Sequence, residues 1–148
     1  MLKILVTIVI VLAAWPREAS AQSVHAVLSA VDLLGTWSVR CVQPAAPDNQ
    51  RMTFSAPAKG YGTLHQDFGN GHAAATIIIR RATDLSTTKV HLHEYQPDEN
   101  AIIDTIIERS DGKIRVFWSR DSESGKVFVH DGVTVATGAA ETWLSPCK

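Results

Sequence analysis

The sequence predicts an all-β protein: an antiparallel meander of about eight short strands, closed as a barrel or packed as a two-sheet sandwich, with one short N-terminal helix and one disulfide. After Gly35, apolar and polar residues alternate with a period of two, which is typical of strands. Turn-forming clusters of Gly, Pro, Asn, Asp and Ser separate these runs. Two cysteines, Cys41 and Cys147, stand near the two ends of the predicted domain.

Residues 1–21 have the three-part layout of a secretory signal peptide. Lys3 precedes an apolar run at 4–14, and Ala19-Ser20-Ala21 supplies small residues for cleavage. We expect cleavage after Ala21 and export to the periplasm or the extracellular space. An uncleaved membrane anchor is the alternative, but the run is shorter than the ~20 residues that span a bilayer. No cysteine follows the run closely enough to carry a lipid.

Residues 22–148 are predicted to form a single domain, because one hydrophobic core is expected up to ~250 residues. Losing Lys3, Arg17 and Glu18 from the 14 basic and 15 acidic residues leaves 12 and 14, a formal net charge of −2 with His neutral. Nucleic acids and anionic membranes attract clusters of Lys and Arg. We therefore expect neither as a partner, and no membrane span after cleavage.

The predicted helix and strands follow one another along this domain. Residues 23–34 place apolar side chains at helical spacing behind Ser23, a good helix cap, and Gly35 ends the pattern. Short runs rich in Val, Ile, Thr and aromatic residues come next. They predict strands at 36–42, 51–55, 62–68, 74–80, 89–95, 101–108, 113–120, 126–130 and 133–137, with 141–144 as an extension.

Two Asp-Gly pairs predict tight hairpins within the meander. Asp111-Gly112 and Asp131-Gly132 each stand between two strand-like runs, and Asp-Gly favours a two-residue turn. The strand between these turns, 113–120, has one apolar face in strict alternation. That face is predicted to carry Ile114, Val116 and Trp118, with Phe117 on the opposite face.

The two cysteines are predicted to form a disulfide. In an oxidising compartment an isolated pair is normally bonded, and Cys41 and Cys147 pair in only one way. Bridged Cα atoms lie within ~7 Å, so the first and last strands must be neighbours or face each other. This requirement favours a closed barrel or a compact sandwich. Two free thiols are the alternative.

The strand at 101–107 is apolar on both faces, with Asp104 in its middle. Such a strand is covered on both faces or borders a cavity. Asp104 is therefore either a buried, hydrogen-bonded group or a ligand contact. If the strand borders a cavity, the candidate ligand-binding residues are Asp104, Tyr95 and Phe117.

The segment Leu34-Gly35-Thr36-Trp37 follows the predicted helix at the head of the first strand. This Gly-x-Trp motif resembles the start of lipocalins and the wider calycin group. The resemblance implies a lipocalin-like barrel that encloses a small apolar ligand, with Trp37 at its floor and Arg120 covering Trp37. It also fits a disulfide that ties the C-terminal tail to the body. Trp143, four residues before Cys147, is expected to pack near this floor.

The strand at 89–95 carries the most chemically active side chains. Period two places His91, His93 and Tyr95 on one face, and His-x-His on a strand aims two imidazoles at one metal ion. A solvent-facing polar surface is the alternative. The third ligand that a metal site needs would come from His65, His72 or His130.

The sequence contains no recognisable motif for a catalytic nucleophile or for a phosphate-binding loop. There is no Gly-x-Ser-x-Gly, both cysteines are paired in our prediction, and Lys59-Gly60-Tyr61-Gly62 lacks the ending of a phosphate loop. We predict a non-catalytic, cofactor-free periplasmic or secreted protein that holds a small apolar molecule in its barrel. One alternative is a module that binds another envelope protein, such as an inhibitor of a secreted enzyme. Another is metal binding by His91 and His93.

Overall fold

The computed structural model describes residues 22–71 and 73–148, which contain one helix and one sheet of ten strands. The helix is α1 (Val24–Ala30). The strands are β1 (Gly35–Ser38), β2 (Arg51–Ser55), β3 (Gly62–Asp67), β4 (Ala75–Ser86), β5 (Lys89–Gln96), β6 (Ala101–Ser110), β7 (Lys113–Asp121), β8 (Val127–His130), β9 (Val133–Thr134) and β10 (Ser145–Cys147). The predicted signal peptide and His72 lie outside the described residues. No helix within them is long and apolar enough to cross a membrane.

The strands form the predicted antiparallel meander. Each strand from β1 to β9 pairs with its neighbour in the chain, and β10 returns to pair with β1. The sheet curls into a half-barrel. A bridge between Ile114 and Leu144 links the start of β7 to the segment before β10, so the curled sheet meets itself at that end. The all-β prediction with one short helix is confirmed.

A disulfide joins the segment after β1 to strand β10, through the two cysteines predicted to pair. Cys41 and Cys147 are bonded with their Cα atoms 5.3 Å apart, across 106 positions of sequence. Cys147 belongs to β10, and its register partner on β1 is Thr36. The first and last strands are therefore neighbours, as the short reach of a disulfide requires.

Helix α1 ends before the predicted boundary of 23–34 because the chain reverses at Asp32. Asp32 has a φ of 53°, in the left-handed region. Its N–H donates to the Ser29 carbonyl at 3.0 Å, and the N–H of Leu33 donates to the Leu28 carbonyl at 2.8 Å. These two bonds form a Schellman cap. Leu33 lies beyond the helix end but is buried beside the helix. The apolar pattern of the sequence therefore continues past the last residue of α1.

Helix α1 covers the inner face of the half-barrel. Its buried side chains join one core with apolar residues of β1 to β7. Gly62 permits this close approach, because a Cβ at that position would lie 2.9 Å from Cγ1 of Val24. Trp37 belongs to the same core, and its Nε1 donates to the Leu33 carbonyl at 2.9 Å. The Trp of the Gly-x-Trp motif is therefore a buried anchor between the helix and β1.

A β-bulge in β7 reverses the faces predicted for its second half. Strands β6 and β7 pair residue by residue up to Val116, but the next pair uses Trp118, so Phe117 is an extra residue. Trp118 consequently lies on the outer face, and Ser119 is buried on the inner face. The prediction that Trp118 shares the apolar inner face is wrong, because strict alternation does not allow for the extra residue.

Candidate functional site

The predicted site residues of β5 lie on the outer face of the half-barrel. His91, His93 and Tyr95 are half-buried there, in the alternation that period two predicts. Strand β6 places Asp104 on the same face, directly opposite His93. Antiparallel pairing of β5 and β6 therefore brings the two predicted metal ligands and the predicted acidic candidate together. The remaining candidate, Phe117, is the bulge residue of β7.

Asp104 is the centre of a hydrogen-bonded cluster. His91 donates from Nε2 at 3.0 Å and His93 from Nδ1 at 2.9 Å, both to carboxylate oxygen Oδ1. Ser122 Oγ donates to Oδ2 at 2.8 Å, and the Arg120 guanidinium lies 3.9 Å from Oδ2. Partial burial raises the pKa of Asp104, but the bonds from His93, Ser122 and His91 together lower it more, so the net shift is downward. These five residues are the outer-face cluster.

The outer-face cluster orients both imidazoles. Asp104 accepts from one nitrogen of each ring, which leaves Nδ1 of His91 and Nε2 of His93 available to another partner. Ser122 donates to Asp104 and not to an imidazole, so the cluster has no hydroxyl paired with a base. It offers a ligand two further imidazole nitrogens and the guanidinium of Arg120.

The two imidazoles converge on Asp104 and not on a third imidazole. His65 is exposed on β3, His130 is exposed at the end of β8, and His72 lies outside the described residues. Within residues 22–71 and 73–148, no group of three or more His, Cys, Asp or Glu side chains is arranged to hold a metal ion. The predicted metal site thus gains no third histidine from this part of the chain.

A shallow groove of about 230 Å³ borders the outer-face cluster. It is lined by Leu85, His91, Asp104, Ile106, Trp118 and Arg120. The guanidinium carbon of Arg120 lies 5.3 Å from the centre of the Trp118 ring. The groove therefore combines apolar walls with a cation. A groove of this volume can take one amino-acid side chain.

More pairs of a basic group and an aromatic ring stand on β4, β5 and β7 and after β9. They are Arg80 with Tyr95 at 4.3 Å, Lys89 with Phe117 at 3.5 Å, and Arg115 with Trp143 at 4.6 Å. Arg115 also binds the Glu108 carboxylate through Nε and a terminal nitrogen, at 2.8 and 2.7 Å. Each ring therefore makes a cation–π interaction with its basic neighbour. Such an interaction contributes about 0.5–1 kcal/mol at exposed sites.

Two residues expected at the barrel floor have other partners. Arg120 lies over Trp118 on the outer face, whereas Trp37 is buried in the core, so the expected Arg120 cover of Trp37 is wrong. The reason is strand register, because Arg120 lies opposite Asp104 and shares its face. Trp143 packs under Arg115. Trp37 alone keeps the buried position expected for it.

A second candidate site lies on the inner face, where Glu94 is buried. Its side chain accepts a hydrogen bond from Thr105 Oγ1 at 2.6 Å through Oε2, while Oε1 has no partner among the described residues. Burial raises the pKa of Glu94 to about 7, against the lowering effect of the Thr105 bond and with a smaller increase from the charge of Asp104. The motif analysis missed Glu94. Its position on the face of β5 shared with Val90 and Leu92 is the signal that could have revealed it.

Two adjoining depressions open on the inner face beside the turn between β5 and β6. One, of about 270 Å³, has nine lining residues, and the other, of about 250 Å³, has five. Gln96 and Glu99 line both, so the two adjoin, and together they are named the mouth. Glu94 lies two residues before Gln96 on the same face and opposite Ile103, another lining residue. Glu94 lines neither depression, but Gln96 and Ile103, its neighbours on the same face of β5 and β6, line the mouth.

Comparisons of this chain with protein-family models, with curated proteins and with solved structures found no match.

Proposed function

We propose that this is a non-catalytic binding protein of the periplasm or the extracellular space, which binds a partner protein through the outer face of β5 to β7. The observation that carries the proposal is the groove beside the outer-face cluster, where Arg120 and Trp118 stand next to Leu85, an apolar side chain that is 52% exposed. Arg and Trp are among the residue types that most often dominate the binding energy of protein interfaces.

The charges around the groove favour an acidic partner. Asp104 is bonded to donors of the outer-face cluster, and Glu108 is bonded to Arg115. By contrast, the side chain of Arg120 is 47% exposed, and Arg81 on β4 is exposed. Asp104 and Glu108 are thus held by neighbouring donors, while the exposed parts of Arg120 and Arg81 can meet a partner's carboxylates. A carboxylate next to an apolar side chain matches both the charge and the walls of the groove.

A small apolar ligand inside the half-barrel has less support. Helix α1 and the core occupy the inner face except at the mouth, and two of the three candidate ligand contacts, Asp104 and Tyr95, lie on the outer face. An exported location is supported by the bond between Cys41 and Cys147, because oxidising compartments preserve disulfides. Inhibition of a secreted enzyme would be one form of the proposed partner binding.

The proposal is tested with two labelled peptides in a fluorescence anisotropy titration. Both have a central Phe, which is flanked by Glu in one peptide and by Lys in the other. We expect the Glu-flanked peptide to bind more tightly, because its carboxylates meet the exposed guanidinium of Arg120. Arg120→Gln should weaken its binding by at least about tenfold, the loss expected for an interface hot spot.

The matched control is Lys113→Gln, which removes a basic side chain from the exposed start of the same strand. This variant should bind the Glu-flanked peptide as the unchanged protein does. Equal affinity for both peptides, or no effect of Arg120→Gln, would contradict partner binding at this surface.

A further inference from the structure

Glu94 is a buried acid with an incomplete set of hydrogen bonds. It is 2% exposed, and only one of its two carboxylate oxygens has a partner among the described residues. Buried polar groups in native proteins are almost always bonded, because a group without a partner loses its interaction with water and gains nothing in return. An acceptor of this kind marks a place where a donor from outside the chain is expected.

The mouth is the nearest route to this oxygen. Glu94 lies opposite Ile103 across the β5–β6 pair, and its bonding partner Thr105 lies opposite Ser119 across the β6–β7 pair. Both Ile103 and Ser119 line the mouth. Glu94 itself lines neither depression, so a ligand in the mouth reaches Oε1 when the side chains of Ile103 and Ser119 move aside, or through one ordered water molecule.

The lining of the mouth favours a cation with an apolar body. Asp98 and Glu99 add two acidic side chains at its rim, and among the described residues no Lys, Arg or His lines either depression. Phe68, Ile77 and Phe128 supply apolar walls. A hard divalent cation fits poorly, because such ions take about six oxygen ligands.

We infer that the mouth binds a small organic amine, whose ammonium group pairs with Glu94 while its apolar part packs against Ile103 and Phe128. The acids at the rim attract the same positive charge. The ligand is small because neither depression exceeds about 270 Å³. This inference does not depend on partner binding at the outer face, since the two sites lie on opposite faces of the sheet.

The probe is phenethylamine, titrated into the purified protein by calorimetry at about pH 8, where the amine is charged and the carboxyl group is more than half ionised. Phenethyl alcohol and phenylacetate keep the ring but remove or reverse the charge. We expect the amine to bind at least about tenfold more tightly than the alcohol, and phenylacetate not to bind. Amide NMR should show the largest shifts near Ile103 and Ser119.

Glu94→Gln keeps the shape of the side chain and removes its charge, so affinity for phenethylamine should fall at least about tenfold. Glu123→Gln is the matched control, because it makes the same change in an exposed turn outside the mouth. Should Glu94→Gln fail to fold, the double variant Asp98→Asn with Glu99→Gln tests the rim, and affinity should fall about threefold.

Two results would overturn the inference. One is equal affinity for the amine and the alcohol, which would show that the charge is not recognised. The other is no binding of the amine at millimolar concentration. In that case the missing donor of Glu94 is a buried water molecule and the mouth is not an amine site.

Discussion

Asp104 and Glu94 stand on opposite faces of the sheet, and their pKa values shift in opposite directions. Bonds from two imidazoles and a hydroxyl hold the pKa of Asp104 below its usual range despite partial burial. Glu94 has one such bond and no exposure to water, so its pKa rises to about 7. Complete burial thus dominates the pKa of Glu94, whereas hydrogen-bond donors outweigh partial burial at Asp104.

Glu94 makes stability depend on pH. Below about pH 4 the folded and unfolded chains both hold this proton, so Glu94 adds no pH-dependent loss of stability. As pH rises toward 7 the unfolded chain releases the proton first, and the folded state loses stability. We expect Glu94→Gln to raise the free energy of unfolding by up to about 3 kcal/mol above pH 7, and to change it least near pH 4. Urea unfolding at both pH values measures this, and an equal effect at both would contradict it.

The outer-face cluster shows how far single residues could be predicted. Alternation alone places His91 and His93 on one face, and the structure agrees. Their bonds to Asp104 depend on the register of β5 against β6, which the turn at 97–100 determines and composition does not reveal. Ser122 joins the cluster from the turn after β7, where alternation makes no prediction.

At the scale of elements, the contact between α1 and β3 gives a sharp test. Gly62→Ala places a methyl group 2.9 Å from Val24 Cγ1 and 3.2 Å from the Ser55 carbonyl oxygen. The helix must move or the strand must bend. We expect the free energy of unfolding to fall by about 1–3 kcal/mol, the usual cost of overpacking. Thermal or urea unfolding provides the measurement.

The matched control for this change is a double-mutant cycle. Val24→Ala removes the side chain that the new methyl group would meet, so Gly62→Ala should cost less in that background. An unchanged cost would show that the strain arises at the Ser55 carbonyl and not at the helix.

Turns were predictable from sequence, whereas irregularities within strands were not. Asp111 and Asp131 have left-handed φ values of 51°, each followed by a Gly of positive φ, and each turn joins two strands as predicted. The bulge at Phe117 lies in a run of strand formers that shows no sign of it. Strand β1 stops at Ser38, before the predicted 42, because the buried Asn49 side chain holds the chain that follows through a bond with the Arg40 N–H at 2.8 Å.

At the scale of the whole molecule, the disulfide is expected to provide a large share of stability. In the chain-entropy model, closing a loop of about a hundred residues lowers the entropy of the unfolded chain. The free energy of unfolding rises by roughly 4 to 5 kcal/mol as a result. The double variant Cys41→Ala with Cys147→Ala should lose about that much in guanidinium unfolding. Native protein treated with a reductant should behave in the same way. A loss below about 1 kcal/mol would indicate that the unfolded chain is already compact.

Because β10 pairs with β1, the sheet can be completed only when the C-terminal residues are available. Strand β1 precedes almost all of the sheet in the chain, yet one of its two neighbours comes from residues 145–147. Until residues 145–147 have entered the compartment in which the protein folds, β1 has one open edge and Cys41 has no partner. Pairing over so long a sequence distance is slow. The nascent protein must therefore keep this edge from associating with other chains until its last strand is available.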